Sequence, residues 1–409
     1  MIFTGFHPNI YKKDVSIALS FLLLPWKWFS IKNGKNVIEV EKWLQNYFGS
    51  KYAITFDSGR TSLQKALEAI EVQPDDEVLV QAYTCMVVSN AISWSGAKPI
   101  YVDVNNDFNM NCIDLEKKIT TKSKVLIIQH TFGKAADLPK LLEIAKKNNL
   151  IVIEDCAHSF GARFQNKLLG TFGDVAMFSF GSDKIISSSR GGALITNNTK
   201  LAEKIISLNK SLPEPKLIKT KQNLINFPIF YIGKKLYDIK IGKFILALAK
   251  KINLSAKIMY KQEKEGRRVS FYPTKYANSL AKILLHQFSK VEEINKHRQE
   301  IAKIYDELLQ NEKIIKPNIK DDNIFLRYTI LVDEPKKLLQ IAKENKIILG
   351  NWYDTVIAPK DIDILMSGYI LGSCPNAEKL SKKTLNLPTN KDISFVQAKK
   401  IAELINKNV

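Results

Sequence analysis

Cysteine is scarce in this chain of 409 residues. The four cysteines, Cys85, Cys112, Cys156 and Cys374, are scattered and none forms a CxxC pair. This spacing excludes a zinc-finger pattern, and a chain of this length does not need disulfide bonds to hold its fold. We therefore expect a reducing, cytoplasmic environment and free, mostly buried thiols.

Long apolar runs are also missing. The longest near the N-terminus, residues 17–24, is too short for a bilayer-spanning helix, which needs about 20 residues, and it has no small-residue cleavage site. Hydrophobic residues nevertheless make up 45% of the chain and charged residues 25%. This composition predicts two or three folded domains with a large core rather than a disordered protein.

Acidic residues are outnumbered by basic ones, 41 to 61, so the formal net charge is +20. Half of that excess lies in residues 213–270, which hold 14 Lys and Arg residues against 4 Asp and Glu residues. Such an excess favours an anionic partner: a nucleic acid, an acidic membrane surface or a phosphorylated substrate. A lysine-rich genome composition gives the same excess without any partner, so charge alone does not choose among them.

The same basic segment carries two apolar runs, residues 224–232 and 244–249, which lysines flank. A helix over residues 236–252 would place apolar side chains loosely on one side and lysines around it. Basic amphipathic helices of this kind lie in membrane interfaces, and Trp26 and Trp28 suit such an interface or an ordinary dimer contact. The alternative is an insertion that packs on its own domain or on a dimer mate and leaves its lysines in solvent.

Between residues 50 and 200, short apolar runs alternate with amphipathic helices, which is the pattern of an α/β fold. The very short connection between the last two runs predicts one antiparallel pair in an otherwise parallel sheet. Ligands on such sheets bind beyond the carboxyl ends of the strands. The predicted strands cover residues 52–56, 77–80, 99–102, 125–129, 151–155, 175–179 and 192–196.

Three groups of polar residues follow these strand ends. Asp155 closes an aliphatic strand, where a buried carboxylate needs a cationic partner. Ser58, Gly59 and Arg60 form a turn at the start of a helix, whose free N–H groups can hold a phosphate. Lys184 follows a later strand. A carboxylate, an amine and an anion cradle at one sheet edge are what pyridoxal phosphate needs for its ring nitrogen, aldehyde and phosphate.

These residues stand in blocks that resemble the DegT/StrS-type nucleotide-sugar aminotransferases, a branch of the fold-type-I pyridoxal-phosphate enzymes. The most specific block is IEDCAHSFGARFQNKLLGTFGDVAMFSFGSDKIISSSRGGALIT, in which Lys184 lies five residues after Ser179 and follows an upstream ED-x-A sequence. The matching blocks are residues 39–67, 76–104 and 153–196 for the large domain, and 291–309 and 376–388 for the small domain.

The resemblance implies a fold of three parts. An N-terminal amphipathic arm covers residues 1–35. A large cofactor-binding domain covers residues 36–285, with a mostly parallel seven-stranded sheet and the basic apolar insertion at about 213–270. A small C-terminal α/β domain covers residues 286–409. The resemblance also implies a homodimer, with the cofactor at the subunit boundary.

The implied activity is transfer of an amino group, with glutamate as the expected donor, to a nucleotide-linked keto sugar in surface-glycan or amino-sugar biosynthesis. Lys184 would bind the aldehyde of pyridoxal phosphate and later move the substrate proton. Asp155 would pair with the pyridinium nitrogen, and His158 would lie near the phenolic oxygen of the ring. The residues implied to hold the phosphate are Ser58, Gly59, Arg60 and Ser179.

The chain departs from the family pattern at several positions. Cys85 stands where the family has the aromatic residue that stacks on the cofactor ring, so stacking would need Tyr83 or His158. Arg60 replaces a threonine in the phosphate turn, and Arg190 replaces an acidic residue after the lysine. We therefore expect a divergent member of the family with an altered pocket.

The sequence also bears on four other functions: sugar dehydration, metal binding, nucleic-acid binding and a non-catalytic role. Sugar dehydratases of the family carry histidine at the lysine position, so Lys184 argues against dehydration. Asp155, Cys156 and His158 do not predict a metal site, because neighbouring strand residues point to opposite faces. Aromatic residues of the basic segment lie within aliphatic runs rather than between arginines, so no nucleic-acid partner is expected. A non-catalytic scaffold or a membrane-associated regulator on the same fold stays open.

Overall fold

The computed structural model describes residues 1–4, 9–319 and 322–409. Within them, seven strands form one sheet in the spatial order β1-β7-β6-β5-β4-β2-β3. Only β7 runs antiparallel to its neighbours in this sheet. The predicted mostly parallel sheet with one reversed strand is therefore confirmed. The strands are β1 Tyr52–Phe56, β2 Glu77–Gln81, β3 Lys98–Val102, β4 Ser123–Gln129, β5 Ile151–Asp155, β6 Val175–Ser179 and β7 Gly192–Thr196.

Helices cover both faces of this sheet, which is why its central strands are almost purely aliphatic. One core packs α1, α2, α6, α8 and α11 against one face, and a second core packs α3, α4 and α7 against the other. The helices are α1 Lys12–Leu23, α2 Asn36–Phe48, α3 Gly59–Ala69, α4 Met86–Trp94, α5 Cys112–Lys118, α6 Leu138–Lys147, α7 Thr199–Lys210, α8 Leu217–Lys235, α9 Ile241–Lys251, α10 Lys261–Lys264, α11 Asn278–Phe288, α12 Val291–Leu308, α13 Pro335–Glu344, α14 Pro375–Lys383 and α15 Phe395–Asn408.

A third core lies in the C-terminal part of the chain. Helices α12, α13 and α15 pack there on an antiparallel pair of strands, Tyr328–Leu331 and Thr384–Leu387. We therefore keep the proposed domain boundary near residue 285, although residues 353–380 return to the second core of the main sheet. The shorter strands are Ile2–Phe3, Thr84–Cys85, Arg163–Phe164, Lys167–Leu168, Ile347–Ile348 and Ile357–Ala358, and the 3₁₀ helices are Pro25–Ser30, Thr131–Gly133 and Ile364–Ser367.

The basic segment is helical, but its boundaries differ from the expected helix over residues 236–252. Helix α8 extends to Lys235, and α9 begins only at Ile241, after Lys240 adopts a left-handed backbone with φ of 65°. A Cβ at Gly242 would overlap the carbonyl oxygen of Gly233, so the two helices approach closely where they cross. The expectation was wrong because this close approach between two helices, rather than the apolar periodicity, places the start of α9.

No helix among the described residues combines the length and the apolar character that crossing a bilayer requires.

Candidate active site

At the carboxyl edge of the main sheet, the turn formed by residues 58–60 lies beside the end of β6. We call this turn the phosphate turn. A Cβ on Gly59 would lie 2.8 Å from Ser179 Cβ and 3.1 Å from Ser179 Oγ. Gly192, which opens β7, packs so closely on Ser58 and Gly59 that any side chain there would overlap their backbone. Glycine is therefore required on both sides of this contact, and the turn and Ser179 form one concave surface.

Ser58 caps helix α3. Its Oγ accepts a hydrogen bond from Thr61 N at 3.2 Å and lies 3.1 Å from Thr61 Oγ1. Such a cap satisfies one of the free N–H groups in the first turn of the helix. The remaining N–H groups, together with the positive end of the helix dipole, make this N-terminus suitable for an anion.

The two arginines that depart from the family pattern lie together behind the turn. Arg60 forms an ion pair with Glu263 of α10, and Arg190 Nη2 donates to Asp57 Oδ2 at 3.2 Å. The Arg190 guanidinium also lies 3.2 Å from the centre of the Tyr272 ring. Burial, and then the nearby charge of Arg190, lower the pKa of Arg60 to about 10. Each of the two guanidiniums has one carboxylate partner, so the four charges balance.

Lys184 lies beside Ser179, on the other side of Gly181. A Cβ on Gly181 would lie 3.6 Å from Ser179 Oγ and 3.8 Å from Lys184 Cγ. The side chain of Lys184 is mostly buried, and its Nζ lies 3.6 Å from Asp183 Oδ2. Although burial raises the pKa of Asp183, the charges of Lys184 and Arg327 outweigh it, and the net pKa is below the ordinary value. Asp183 is therefore an anionic neighbour of the lysine.

Asp155 is the fully buried carboxylate at the end of β5. Its Oδ1 accepts from Ala157 N at 3.0 Å, and among the described residues nothing donates to its second oxygen. Burial raises the pKa of Asp155, while the Ala157 hydrogen bond and then the charge of Lys184 lower it. Among the described residues, no cation forms an ion pair with Asp155, and the charge of Lys184 only partly offsets its burial.

His158 lies in a group of aromatic rings close to Lys184. Its ring stacks nearly parallel on Phe132, with 5.7 Å between centroids, and its Nδ1 accepts from Phe132 N at 3.4 Å. Burial holds the pKa of His158 well below its ordinary value, and the charges of Lys184 and Arg327 lower it further. The imidazole is therefore neutral, and its acceptor role at Nδ1 leaves the hydrogen on Nε2.

Cys85 is half-buried at the N-terminus of α4. Burial raises the pKa of its thiol, while a backbone hydrogen bond from Val87 and the charges of Lys184 and Arg60 oppose that rise. Tyr83 does not take over the role of an aromatic at position 85. Its ring stacks on Phe108 with 5.1 Å between centroids, and its hydroxyl lies 2.7 Å from Thr384 Oγ1.

The structure adds three residues that sequence reasoning missed. Tyr353 lies 6.1 Å from the His158 ring, between centroids. Burial raises the pKa of Tyr353 well above its ordinary value, and the charges of Cys85 and Asp155 raise it further. Asp183 lies beside Lys184, and the charge of Arg327 acts on both Asp183 and His158. The only sequence signal was the acid directly before Lys184, since Arg327 and Tyr353 reach the site through the C-terminal part of the fold.

A second polar cluster lies behind β5. His130 Nε2 donates to Glu154 Oε2 at 3.1 Å, its Nδ1 accepts from Ala136 N at 3.2 Å, and Cys156 lies beside both. Although these residues could in principle ligate a metal ion, their lone pairs are already used. The Glu154 carboxylate also accepts backbone N–H groups from Gly170, Phe172 and Gly173.

Comparison with known proteins agrees with this geometry. The model of the DegT/DnrJ/EryC1/StrS aminotransferase family matches residues 23–223 and 248–406. The dTDP-3-amino-3,6-dideoxy-alpha-D-galactopyranose transaminase of Aneurinibacillus thermoaerophilus is 27% identical over 97% of this chain and 96% of its own. The GDP-perosamine synthase of Escherichia coli O157:H7 is 38% identical over 44% of this chain and 49% of its own.

The fold itself has close counterparts among solved structures. Helicobacter pylori PseC, described as an aminotransferase of pseudoaminic acid biosynthesis, superposes with a TM-score of 0.75 at 21% identity, over 100% of this chain and 99% of its own. A structure described as a putative sugar aminotransferase of Streptococcus pneumoniae, 19% identical to this chain, has been solved in pyridoxal-phosphate and pyridoxamine-phosphate forms. The chain belongs to the DegT/DnrJ/EryC1/StrS aminotransferase family and is a sugar aminotransferase that depends on pyridoxal phosphate.

Proposed function

We propose that this enzyme transfers an amino group from glutamate to a nucleotide-linked keto sugar, for surface-glycan or amino-sugar biosynthesis. The observation that carries the proposal is the meeting of Lys184, Asp155 and the phosphate turn at one edge of the main sheet. The names of two relatives support the substrate class, since one acts on a dTDP-linked and the other on a GDP-linked amino sugar.

The residues at this edge fit pyridoxal phosphate. The concave contact between Gly59 and Ser179 would be closed by a single added Cβ, and the buried Asp155 has an oxygen without a donor. When bound, pyridoxal phosphate supplies an electron sink for charge that develops at the substrate carbon. Lys184 supplies the amine that holds the aldehyde, and Asp155 holds a proton on the ring nitrogen.

The phosphate is assigned to Ser58, Gly59, Arg60 and Ser179. Backbone N–H groups of the turn provide directed donors, and the guanidinium of Arg60 provides charge in a buried place where charge is poorly screened. Arg190, which pairs with Asp57, lies close enough for its charge to act on Arg60.

Lys184 is the proposed proton carrier. A free lysine has a pKa of about 10.4, which is too high for an efficient base at pH 7. Once its nitrogen has been exchanged for that of the donor, the freed amine of Lys184 would take a proton from the substrate carbon and return it to the cofactor side. The neutral His158, with its hydrogen on Nε2, is assigned to the ring oxygen as a hydrogen-bond donor.

The proposed setting is a cytoplasmic homodimer. Four free cysteines, two of them buried, suit a reducing compartment. A dimer with shared sites is proposed from the family resemblance and from the prevalence of two-fold pairing among oligomers.

An absorbance spectrum tests the proposal. The purified protein mixed with pyridoxal phosphate is expected to show the visible band of lysine-bound cofactor, which glutamate bleaches, and the bleached enzyme should aminate a nucleotide-linked keto sugar. The band should be absent in Lys184→Ala. A wild-type protein that never shows the band contradicts the aminotransferase assignment and favours a non-catalytic scaffold on the same fold.

A further inference from the structure

Helices α1, α8 and α9 form a continuous layer on the outside of the large domain. Helix α8 packs between α1 and α9, and α1 also packs on α11 beneath it. The 3₁₀ helix Pro25–Ser30 extends α1, and Lys221 of α8 lies 4.4 Å above the ring of Trp28. Together these elements form what we call the helical layer, whose helices α1 and α8 contribute side chains to the first core of the sheet.

Several large apolar side chains of the helical layer are exposed to solvent. On α9, Ile241, Phe244 and Leu248 are exposed at spacings of three and four residues, so they share one face of the helix. Phe244 is 68% exposed, and Phe29 of the 3₁₀ helix is 93% exposed. Large apolar side chains at this exposure, on two elements that each neighbour α8, indicate a surface that meets an apolar partner.

Lysines surround these apolar side chains. Lys240, Lys243, Lys250 and Lys251 lie in or next to α9, which carries no acidic residue. Several lysines lie over aromatic rings of the layer, as Lys235 does over Tyr231 at 4.6 Å. An apolar stripe bordered by lysines on a helix of modest length is the arrangement of helices that lie in the headgroup region of a membrane.

A groove runs between α1 and α8 on the same layer. It is a shallow groove of about 610 Å³ that is largely open to solvent, and it is lined mainly by apolar side chains, among them Leu19, Leu23 and Tyr231, while Lys12 and Lys235 contribute two cations to its wall. An apolar groove with cations in its wall suits a lipid tail together with an anionic headgroup.

A second copy of the chain is a poorer occupant for this surface. A two-fold contact brings the same patch against itself, so the lysines of one helical layer would face those of the other. Like charges in contact cost free energy, whereas an acidic headgroup layer complements them. Helices α3 and α4, whose first residues line the active site, pack on the opposite face of the sheet, so a dimer formed around the shared sites leaves the helical layer free.

We propose that the helical layer docks the enzyme on an anionic lipid bilayer. Phe29, Phe244 and Leu248 insert between headgroups, and the lysines pair with acidic lipids at the bilayer surface. The docking is peripheral, and it is independent of the proposed reaction because none of these residues contacts Lys184.

Vesicle flotation of the full-length holoenzyme tests the proposal. Binding is expected to vesicles of phosphatidylglycerol and phosphatidylcholine at low salt, and not to vesicles of phosphatidylcholine alone. It should weaken as salt rises, because the Debye length falls from about 30 Å at 0.01 M to about 10 Å at 0.1 M. The emission of Trp26 and Trp28 should shift to shorter wavelength on binding, as the indoles enter the interface.

Two matched variants separate the helical layer from general charge. Phe244→Glu should lower vesicle affinity at least tenfold, whereas Ile113→Glu, at a side chain of α5 with 66% exposure, should change it less than twofold. Both variants should keep wild-type unfolding curves, dimer mass and transamination of a soluble nucleotide sugar without vesicles. That soluble assay tests the proposed reaction separately from docking.

Three results overturn the proposal. The first is no flotation with acidic vesicles at low salt. The second is dissociation of the dimer in Phe244→Glu, which would make the layer a subunit interface. The third is an equal loss of binding in both variants.

Discussion

At the scale of single residues, Lys184 and Asp155 differ in how far their buried charges are compensated by neighbouring groups. Asp183, whose Oδ2 lies 3.6 Å from Lys184 Nζ, and the buried Asp155 partly compensate the charge of Lys184 inside the protein. Asp155 is buried with too little compensation, which raises its pKa. The site therefore holds Lys184 at little cost to the fold, while Asp155 makes the protein less stable until a cation reaches it.

Replacing Lys184 should abolish transamination and leave the fold intact. Lys184→Ala removes both the amine that holds the cofactor and the proposed proton carrier, so the turnover rate should fall by about 10³-fold or more. Steady-state kinetics measure the loss, and urea unfolding checks the fold. Lys204→Ala, at a half-exposed lysine paired with Glu71 on the surface, should keep wild-type turnover. A Lys184→Ala enzyme that retains turnover at normal stability rules out the assignment.

Replacing Asp155 should stabilise the cofactor-free protein while weakening cofactor binding. Burial raises the pKa of Asp155, so the folded state holds this proton more tightly than the unfolded state does. Stability is then lost as pH rises from the ordinary carboxyl value of about 3.9 through the raised pKa. Asp155→Asn removes that loss, and we expect a gain on the order of 1 kcal/mol at pH 7.

Thermal unfolding of the cofactor-free wild type and Asp155→Asn, compared across pH, measures this effect. The advantage of the variant should grow with pH above about 4. Titration with pyridoxal phosphate should meanwhile show weaker binding to the variant, because the ring nitrogen loses its anionic partner. A variant that is less stable than wild type at pH 7 would show that Asp155 already has a partner in its own chain.

At the scale of elements, the end of the basic segment is linked to the phosphate turn by an ion pair and a hydrogen bond. Glu263 of α10 pairs with Arg60 of α3, Arg60 also donates to Ile258 O at 3.4 Å, and Asn90 of α4 donates to Glu263 O at 2.7 Å. The side chain of Glu263 is 1% exposed. The end of the insertion is therefore held against the first turn of α3 and the middle of α4.

Removing only one charge of the Arg60–Glu263 ion pair should destabilise the protein. Glu263→Gln leaves the Arg60 guanidinium buried without its counter-charge, at a cost of about 3 kcal/mol. Replacing both residues, as Arg60→Met with Glu263→Met, should recover most of that loss, because neither charge is then buried alone. The double variant should still bind pyridoxal phosphate more weakly than wild type, since Arg60 is assigned to the phosphate.

Urea unfolding and cofactor titration of the three proteins measure these two effects separately. Glu265→Gln is the control, because Glu265 lies two residues away, pairs only with Arg267 and Lys261 among the described residues, and should unfold like wild type. Equal stability of Glu263→Gln and wild type would show that the ion pair contributes nothing to the fold.

Strands were easier to predict from the sequence than helix boundaries. The strands β4 and β5 are aliphatic runs between turns, and burial on both faces leaves few other patterns for such strands. The start of α9 was missed because it depends on the close contact between Gly233 of α8 and Gly242 of α9, which lie on two successive helices. Apolar periodicity does not encode that contact.

The residues of the candidate site also differ in whether the sequence could predict them. Lys184 and Asp155 were predictable because each follows a strand and stands in a block that resembles a known family. Tyr353 and Arg327 were not, because they lie more than a hundred residues beyond the lysine and enter the site only through packing of the C-terminal part. Their sequence surroundings carry no strand-end or phosphate-turn pattern.

At the scale of the whole molecule, one chain carries all the residues assigned to the cofactor, yet we expect a homodimer in solution. Two-fold pairing is the commonest closed symmetry, and the family resemblance implies a cofactor at the subunit boundary.

Sedimentation velocity of the holoenzyme should show one species of about twice the 46.5 kDa of a single chain. On dilution into the monomer range, the visible cofactor band should weaken together with activity, because binding of the cofactor and pairing of the subunits stabilise each other. Phe244→Glu should leave both the mass and the dilution curve unchanged, since the helical layer is assigned to the membrane. A monomer that keeps its cofactor and its full activity would contradict the shared site and would leave the active-site face of α3 and α4 without its proposed partner.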